Sequence, residues 1–407
     1  MADTKPTARG INFVAHSDMN GKGDGVQVMV HRGFAYVGHG YSNGITTLDV
    51  RDPKNPKVVD FIACAQGTRA LHLQTHEDLL LAVNAPSVWT MQVLSEKDYF
   101  GGSPADRLKG AGFTAGIRVY DISKPEKPRE IGFMPVDGIG PHRIWYVGGR
   151  YAYASIHFAD VTDHCLAVID MSNPAKPQVA GRCWIPGMWS GGGETPTWPS
   201  GKRYALHHAL VDGDLAYGAW RDGGLTVMNV ADPAKPRILV HRTPQPGGGG
   251  THSPLPLPER KLLVLADEPT FANCKEGRRH IWAYDVRDPS NPTVLVRFPE
   301  PAEADYCAKG GFFGPHNLHE NRPGAFQSSR LVFSTYYNAG VRVFDVEDAA
   351  KPREVAYYVP PNPTKMVDPR PNRPQVLQSG DCYVDRNGLM YLTDQNVGLN
   401  ILQFEGL

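Results

Sequence analysis

Apolar and polar residues alternate in short runs along the whole chain, as in Val119-Tyr120-Asp121-Ile122. A period of two marks half-buried strands. Most such runs end in a turn with Asp or Asn before proline, as at Asp52-Pro53, Asn173-Pro174, Asp232-Pro233 and Asp288-Pro289. Proline presets φ there, and Asp or Asn bonds its own backbone. A second proline three residues on opens another strand, such as Val58-Val59-Asp60-Phe61-Ile62 or Arg129-Glu130-Ile131-Gly132-Phe133. The complete unit lies at 119–128 and recurs at 48–56, 169–177, 228–236, 284–292 and 344–352, where Ala349 replaces the first proline. Spacings of roughly 45 to 70 residues fall in the range of propeller and solenoid repeats.

A further strand precedes each copy, centred on Ala35, Leu80, Ala152, Ala216, Leu263 and Val332, and a seventh is centred on Met390. Tight turns at Gly33, Gly149, Gly213 and Gly388 link several of these to another short strand before them. Four antiparallel strands per unit and seven units predict an all-β fold. It is a seven-bladed β-propeller, and 1–407 forms a single domain. The last unit ends at Phe404 without a proline turn or a fourth strand. The alternating segment 11–16 is expected to supply that strand, closing the ring and removing two exposed edges. Four segments fall outside the repeat, at about 85–115, 184–203, 268–279 and 359–377. In a propeller they all emerge on one face, whereas 320–329 emerges on the other.

The strand–turn–proline unit Val119-Tyr120-Asp121-Ile122-Ser123-Lys124-Pro125, with its five relatives, resembles the LVIVD-repeat β-propellers over nearly the whole chain. The resemblance implies an architecture and carries little about activity.

Charge is balanced, 42 basic against 42 acidic residues, so nothing argues for nucleic acid or an acidic partner. No run of 18 apolar residues suggests a membrane span, and the first residues show no signal-peptide pattern. The six cysteines, Cys64, Cys165, Cys183, Cys274, Cys307 and Cys382, form no Cys-x-x-Cys pair. They read as buried reduced thiols in a cytoplasmic protein.

Candidate chemistry comes from histidine placement. Only 15 histidines occur, yet the innermost strands of the third to sixth units each begin with one: His142, His207 or His208, His252 and His316. At these positions four imidazoles from adjacent blades would meet at the mouth of the tunnel, beneath the long insertions. Neutral imidazole is the common ligand for Fe, Cu and Zn. His207, nearer the strand's start, is preferred and His208 is the alternate. The first, second and seventh units offer Asp24, Ala70 and Asp381 at about this position. Second strands return to the same mouth and end at His39, Asn84, His157, Arg221, Asp267-Glu268, Tyr336-Tyr337 and Asp394. Glu268 is the first candidate to orient a ligand or move a proton. Glu194, Asp267 and His157 follow. His319 reads as a supporting or surface residue, and His72 and His76 as structural. Gly247-Gly248-Gly249-Gly250 reads as a tight approach of the chain to the axis. Trp89, Tyr99, Phe100, Trp184, Trp189, Trp198, Phe271, Phe312 and Phe313 would form an aromatic lid, the composition of a small-molecule site.

Carotenoid-cleavage-type oxygenases hold Fe(II) with four histidines on the axis of a seven-bladed propeller, and the arrangement expected here is similar in geometry although no sequence motif is shared. The first expectation is a metal-dependent oxygenase with Fe(II), acting on a small aromatic or apolar substrate. Cu, Mn and Zn are alternatives, Zn implying hydrolysis or a lyase step. A non-catalytic propeller that binds protein on its loop face is the competing class, and a purely structural metal is a third.

Overall fold

The computed structural model describes residues 5–91, 108 and 110–406. Most of the 85–115 insertion, with Tyr99 and Phe100, therefore lies outside the described residues. Regular structure is almost entirely antiparallel β. The first unit orders Gly25–His31, Phe34–His39, Gly44–Asp49 and Lys57–Ala63. The third repeats it with Gly140–Trp145, Tyr151–His157, Cys165–Asp170 and Gln178–Cys183. The fourth and fifth units have the same order and share one hydrogen-bonded sheet through the single pair Arg221↔Thr251. Burial follows position in the unit. Phe34–His39 is buried along its whole length, whereas the outer strand Lys57–Ala63 alternates with solvent. Inner strands are covered on both faces by neighbouring sheets, which is why they read as apolar runs.

The repeated turn has one geometry. Asp52, Asn173, Asp232, Asp288 and Asp348 each accept a backbone N–H two residues on at 2.9–3.2 Å. The third and outer strands of all six copies also share a bulge, for example between Val119 and Tyr120 and between Val168 and Ile169. The Asx contact thus recurs in five copies, Lys124 standing at its place in the remaining one, and the bulge recurs in all six.

Ile11–Ser17 pairs antiparallel with Gly398–Phe404, Ile11 opposite Phe404, as its alternation predicts. Thr7–Arg9, which the alternation does not mark, adds to Arg353–Val359 of the sixth unit. Two other innermost strands depart from regularity. In the second unit Thr68–Arg69 and Leu73–His76 are separated by a break at 70–72. In the sixth the expected strand at His316 reduces to the bridge Leu318↔Ser334.

Neighbouring units are stitched at their innermost strands. Ser155 Oγ donates to His207 O at 3.0 Å, Ser253 Oγ to His316 O at 3.2 Å, and Val28 N to Asp381 Oδ2 at 3.1 Å. From the loop after Leu318, Arg322 reaches the second and third units, donating to Gln74 Oε1, Thr75 O and Tyr146 O.

The cysteine reading needs correction. Cys274 and Cys307 are disulfide-bonded, with Cα atoms 5.5 Å apart, whereas Cys64, Cys165, Cys183 and Cys382 are free. Scattered spacing in sequence carries no information on pairing when the fold brings distant loops together. Among the described residues no helix is long and apolar enough to cross a membrane.

Candidate metal centre

Apart from the second unit, whose strand is broken at 70–72, the innermost strands carry a surplus residue near their start. Pro141 pairs with Ile156 and Arg143 with Ser155, leaving His142 outside the ladder. Thr251 pairs with Asp267 and Ser253 with Ala266, leaving His252 outside. A wider break between Tyr204 and His208 frees His207. His316 N and Thr335 O, then Thr335 N and Asn317 O, bracket His316 in the same way. A bulge re-aims the side chain of the extra residue. In the first and seventh units this residue is Val26 and Gly380, not Asp24 and Asp381.

The bulges bring His142, His207, His252 and His316 together. Nε2 of His142 lies 2.7 Å from Nε2 of His207. The His207 and His252 rings stack with centroids 3.5 Å apart, and the His252 and His316 centroids are 4.6 Å apart. His208 is excluded from this group. Its register opposite Ala219 turns it the other way, and its Nε2 meets Glu320 Oε1 at 2.9 Å.

Hydrogen bonds assign the ring protons. Nδ1 of His207 faces the carbonyl of His252 at 3.0 Å, and Nδ1 of His316 faces the carbonyl of Gly380. A carbonyl only accepts, so both rings carry their proton on Nδ1 and present a bare Nε2. Ser253 Oγ lies 3.2 Å from His316 O and 2.7 Å from Nδ1 of His252; with its proton on the carbonyl it accepts from Nδ1, the tautomer in which Nε2 of His252 is bare as well. That atom is buried and has no hydrogen-bond partner among the described residues. Ring N–H groups tied to carbonyls are how metal-binding histidines are oriented.

Glu268 faces these lone pairs directly. Its Oε2 is 3.4 Å from His252 Nε2 and its Oε1 is 3.5 Å from His316 Nε2. Arg221 pairs with Oε2, and Tyr337 donates its hydroxyl to Oε1 at 2.5 Å. Burial alone would raise the Glu268 carboxyl, but the Arg221 charge, His316 and the Tyr337 hydrogen bond outweigh it and hold it at about 2. Burial, reinforced by neighbouring cations, keeps His142, His207 and His252 well below the usual histidine range and His316 at about 4. The imidazoles are neutral and the carboxylate is charged. Ligand atoms of His207, His252 and Glu268 lie within 4.8 Å of one another, a spacing that one ion could span.

The group opens on a cavity of about 240 Å³ whose lining includes all four histidines, Glu268, Arg143 and Tyr337. Each of the four insertions contributes to or touches this mouth. Val88, Arg203 and Glu268 line it, and Asp368 accepts the hydroxyl of the lining residue Tyr41 at 3.0 Å.

Other expected residues fall elsewhere. Glu194 is absent from the lining and is occupied by Gly187 N, Trp189 N and Trp184 Nε1, so it shapes its own loop. His157 lies behind the cavity, where its Nδ1 accepts from Ile139 N at 3.3 Å. Asp267 is held by Thr251 and Trp282. His319 is buried rather than at the surface, bonded to Phe326 O at 2.9 Å. His72 is buried beside His208, and His76 packs on Tyr146. Of the lid residues, the described ones, Trp89, Trp184, Trp189, Trp198, Phe271, Phe312 and Phe313, do not line the cavity. Trp198 stacks on Tyr204 and Phe313 on Tyr306. Arg143, Glu320 and His164 were missed. The hydrogen-bond partners of Arg143 and Glu320 lie more than a hundred positions away, and the local signs were that Arg143 follows His142 and that His164 follows its partner Asp163.

The LVIVD repeat family model matches residues 144–184 and 209–241, strands of the third and fourth units. Among solved structures, the Cps50 (Swd1) β-propeller domain of Myceliophteria thermophila superposes with a TM-score of 0.56 at 11% identity, covering 97% of this chain and 99% of that one. A protein from Lactobacillus plantarum gives 0.54 at 12% identity, with 98% and 99% covered. The computationally designed Ika8 protein gives 0.51 at 10% identity, with 97% and 99% covered. At such identities the likeness concerns the fold alone. No curated protein matches the chain.

Proposed function

We propose that this LVIVD-repeat β-propeller is a metal-dependent enzyme whose divalent ion is held by His142, His207, His252 and His316 with Glu268 beside it. The observation that carries this reading is Nε2 of His252. It is a buried lone pair without a partner, 3.4 Å from a charged carboxylate oxygen. Two electron-rich atoms at that distance repel unless a cation lies between them, and Nε2 of His316, 3.5 Å from Glu268 Oε1, points to the same need. An ordinary histidine packing cluster would satisfy these atoms with donors.

Fe(II) is the favoured ion and oxidation of a small molecule the favoured reaction. Such an ion would supply a Lewis-acid and redox centre. Neutral imidazoles leave its charge largely uncompensated, so an oxygen or substrate ligand is favoured at an open position. The chain's own residues then orient: Arg221 and Tyr337 fix Glu268, and the carbonyls of His252 and Gly380 fix two rings. We read the seven units as seven blades of a closed ring, because Ile11–Ser17 completes the last unit and Val28 bonds Asp381 across the junction. The Cys274–Cys307 bond favours an oxidising compartment over the cytoplasm.

Elemental analysis of protein purified without chelator or histidine tag tests the reading, alongside a His142→Ala/His252→Ala double variant. About one Fe, Cu, Mn or Zn per chain, lost in the double variant while the fold persists, supports it. No metal in the unaltered chain after anaerobic reconstitution with Fe(II) rejects it and leaves a non-catalytic propeller.

A further inference from the structure

The cavity holds a cationic side chain that the histidine group does not use. Arg143 follows the bulged His142 on Gly140–Trp145, is 5% exposed, and lines the same cavity. Arginine stays protonated, and a buried guanidinium is ordinarily matched by a carboxylate. Among the described residues Arg143 forms no ion pair. Its guanidinium makes one hydrogen bond, from Nη2 to Asn317 Oδ1 at 2.7 Å, and its Nε is buried without a partner.

The carboxylates of the surroundings are engaged elsewhere. Glu268 is taken by Arg221 and Tyr337. Glu320 is taken by His208 at 2.9 Å and Gln74 at 3.0 Å. Asp381 accepts from Val28 N, and Asp24 from Tyr41 N, Ser42 and His39. Asn317 is itself fixed, since its Nδ2 donates to Gly380 O at 3.0 Å. The guanidinium is therefore held in place by a neutral partner; Asp381, Glu320 and Glu268 act on its charge from a distance, and none of them pairs with it directly. Val26, Leu71 and Leu206 line the same cavity and offer an apolar wall beside it.

We propose that the cavity takes a small organic carboxylate, received by the Arg143 guanidinium next to the histidine group. This rests on the metal-site reading, in which the carboxylate also meets the ion's positive charge. The planar fork matches a carboxylate in bidentate geometry, the apolar wall suits an organic body, and about 240 Å³ limits that body to a small molecule. The aromatic or apolar substrate expected from sequence thereby gains a charged end.

The test uses the full-length, metal-loaded protein titrated calorimetrically with benzoate, benzamide and inorganic phosphate. Benzoate is expected to bind at least about tenfold more tightly than benzamide or phosphate. Arg143→Gln is expected to weaken benzoate about 30-fold or more, the loss that follows truncation of one partner of a buried charge pair, with metal content unchanged. Equal binding of benzoate and benzamide overturns the anion site, and phosphate binding as tightly as benzoate overturns its organic assignment. Asn317→Asp provides a second variant should Arg143→Gln not fold. It sets a carboxylate against the guanidinium and gives up the hydrogen bond to Gly380 O, so benzoate affinity is expected to fall in a chain that is somewhat less stable yet folded by circular dichroism. Unchanged benzoate affinity in a folded variant of either kind overturns the proposal. Metal content is read separately. A chain that takes up no metal on anaerobic reconstitution yet binds benzoate through Arg143 rejects the metal site and retains the carboxylate site.

Discussion

Nε2 of His252 and Oε2 of Glu268 face each other at 3.4 Å with no proton assigned between them. Their facing lone pairs define where a cation would sit. Glu268→Gln keeps the side chain's shape and removes its charge. Metal affinity, measured by competition with a chelator, is expected to fall about 10- to 100-fold. Unchanged affinity would remove Glu268 from the site.

Gly250 sets the distance between these two residues. It adopts φ +69°, and a Cβ there would meet Glu268 O at 2.4 Å. Its own carbonyl accepts Glu268 N at 2.8 Å. Gly250→Ala is expected to cost about 2–3 kcal/mol through strain and displacement and to lower metal occupancy. Gly213, at φ +55° with open space for 4 Å around the place a Cβ would take, is the control. Gly213→Ala should cost about 1 kcal/mol and leave occupancy intact. Equal effects in chemical denaturation and metal analysis would contradict this role for Gly250.

Arg342 is fully buried and pairs with Glu303 and with Glu354, the latter at 3.3 Å. Burial alone would raise the Glu303 carboxyl, but hydrogen bonds from Arg342 and Tyr306 and the Arg342 charge hold it at about 2, against an ordinary 4.5. Its folded value is depressed, so this contribution is complete above pH 4.5 and is lost as pH falls towards 2. Glu303→Gln is expected to cost about 2 kcal/mol at pH 7, with Glu354 still pairing Arg342. The gap between variant and unaltered chain should narrow across that acid window in urea titrations. A gap constant with pH would show that the charge contributes nothing.

The Cys274–Cys307 bond closes a loop with a sequence separation of 33 and ties the 268–279 insertion to the segment leading into His316. Thiol labelling of the unfolded, unreduced chain should modify Cys64, Cys165, Cys183 and Cys382 and spare this pair. Cys274→Ser/Cys307→Ser should lower stability by about 3–4 kcal/mol. Labelling of all six without reductant would show the bond is not formed.

The repeated turn was legible because it is local: alternation, an Asx side chain and two prolines fix the chain within ten residues. The same alternation located Ile11–Ser17 against Gly398–Phe404. The histidines were legible because one residue type recurs at one position in successive units. His207 was preferred over His208 only for lying nearer the strand's start; what frees it is a wide break between Tyr204 and His208 that hydrophobic pattern does not encode. Thr7–Arg9 is exposed throughout and so leaves no apolar trace. The aromatic lid failed for a related reason. Tryptophan and phenylalanine in an insertion signal burial but not against what, and Trp198 and Phe313 found partners within their own loops and blades.

The bulges also bear on how such a site changes over time. Each supernumerary residue stands outside the strand ladder, so its side chain is a socket whose content is set independently of the scaffold. Four sockets hold imidazole, while Val26 and Gly380 fill two others. Exchanging one socket's occupant breaks no ladder bond. The groups presented at the cavity can therefore change by single codons while the strand ladders that present them stay as they are.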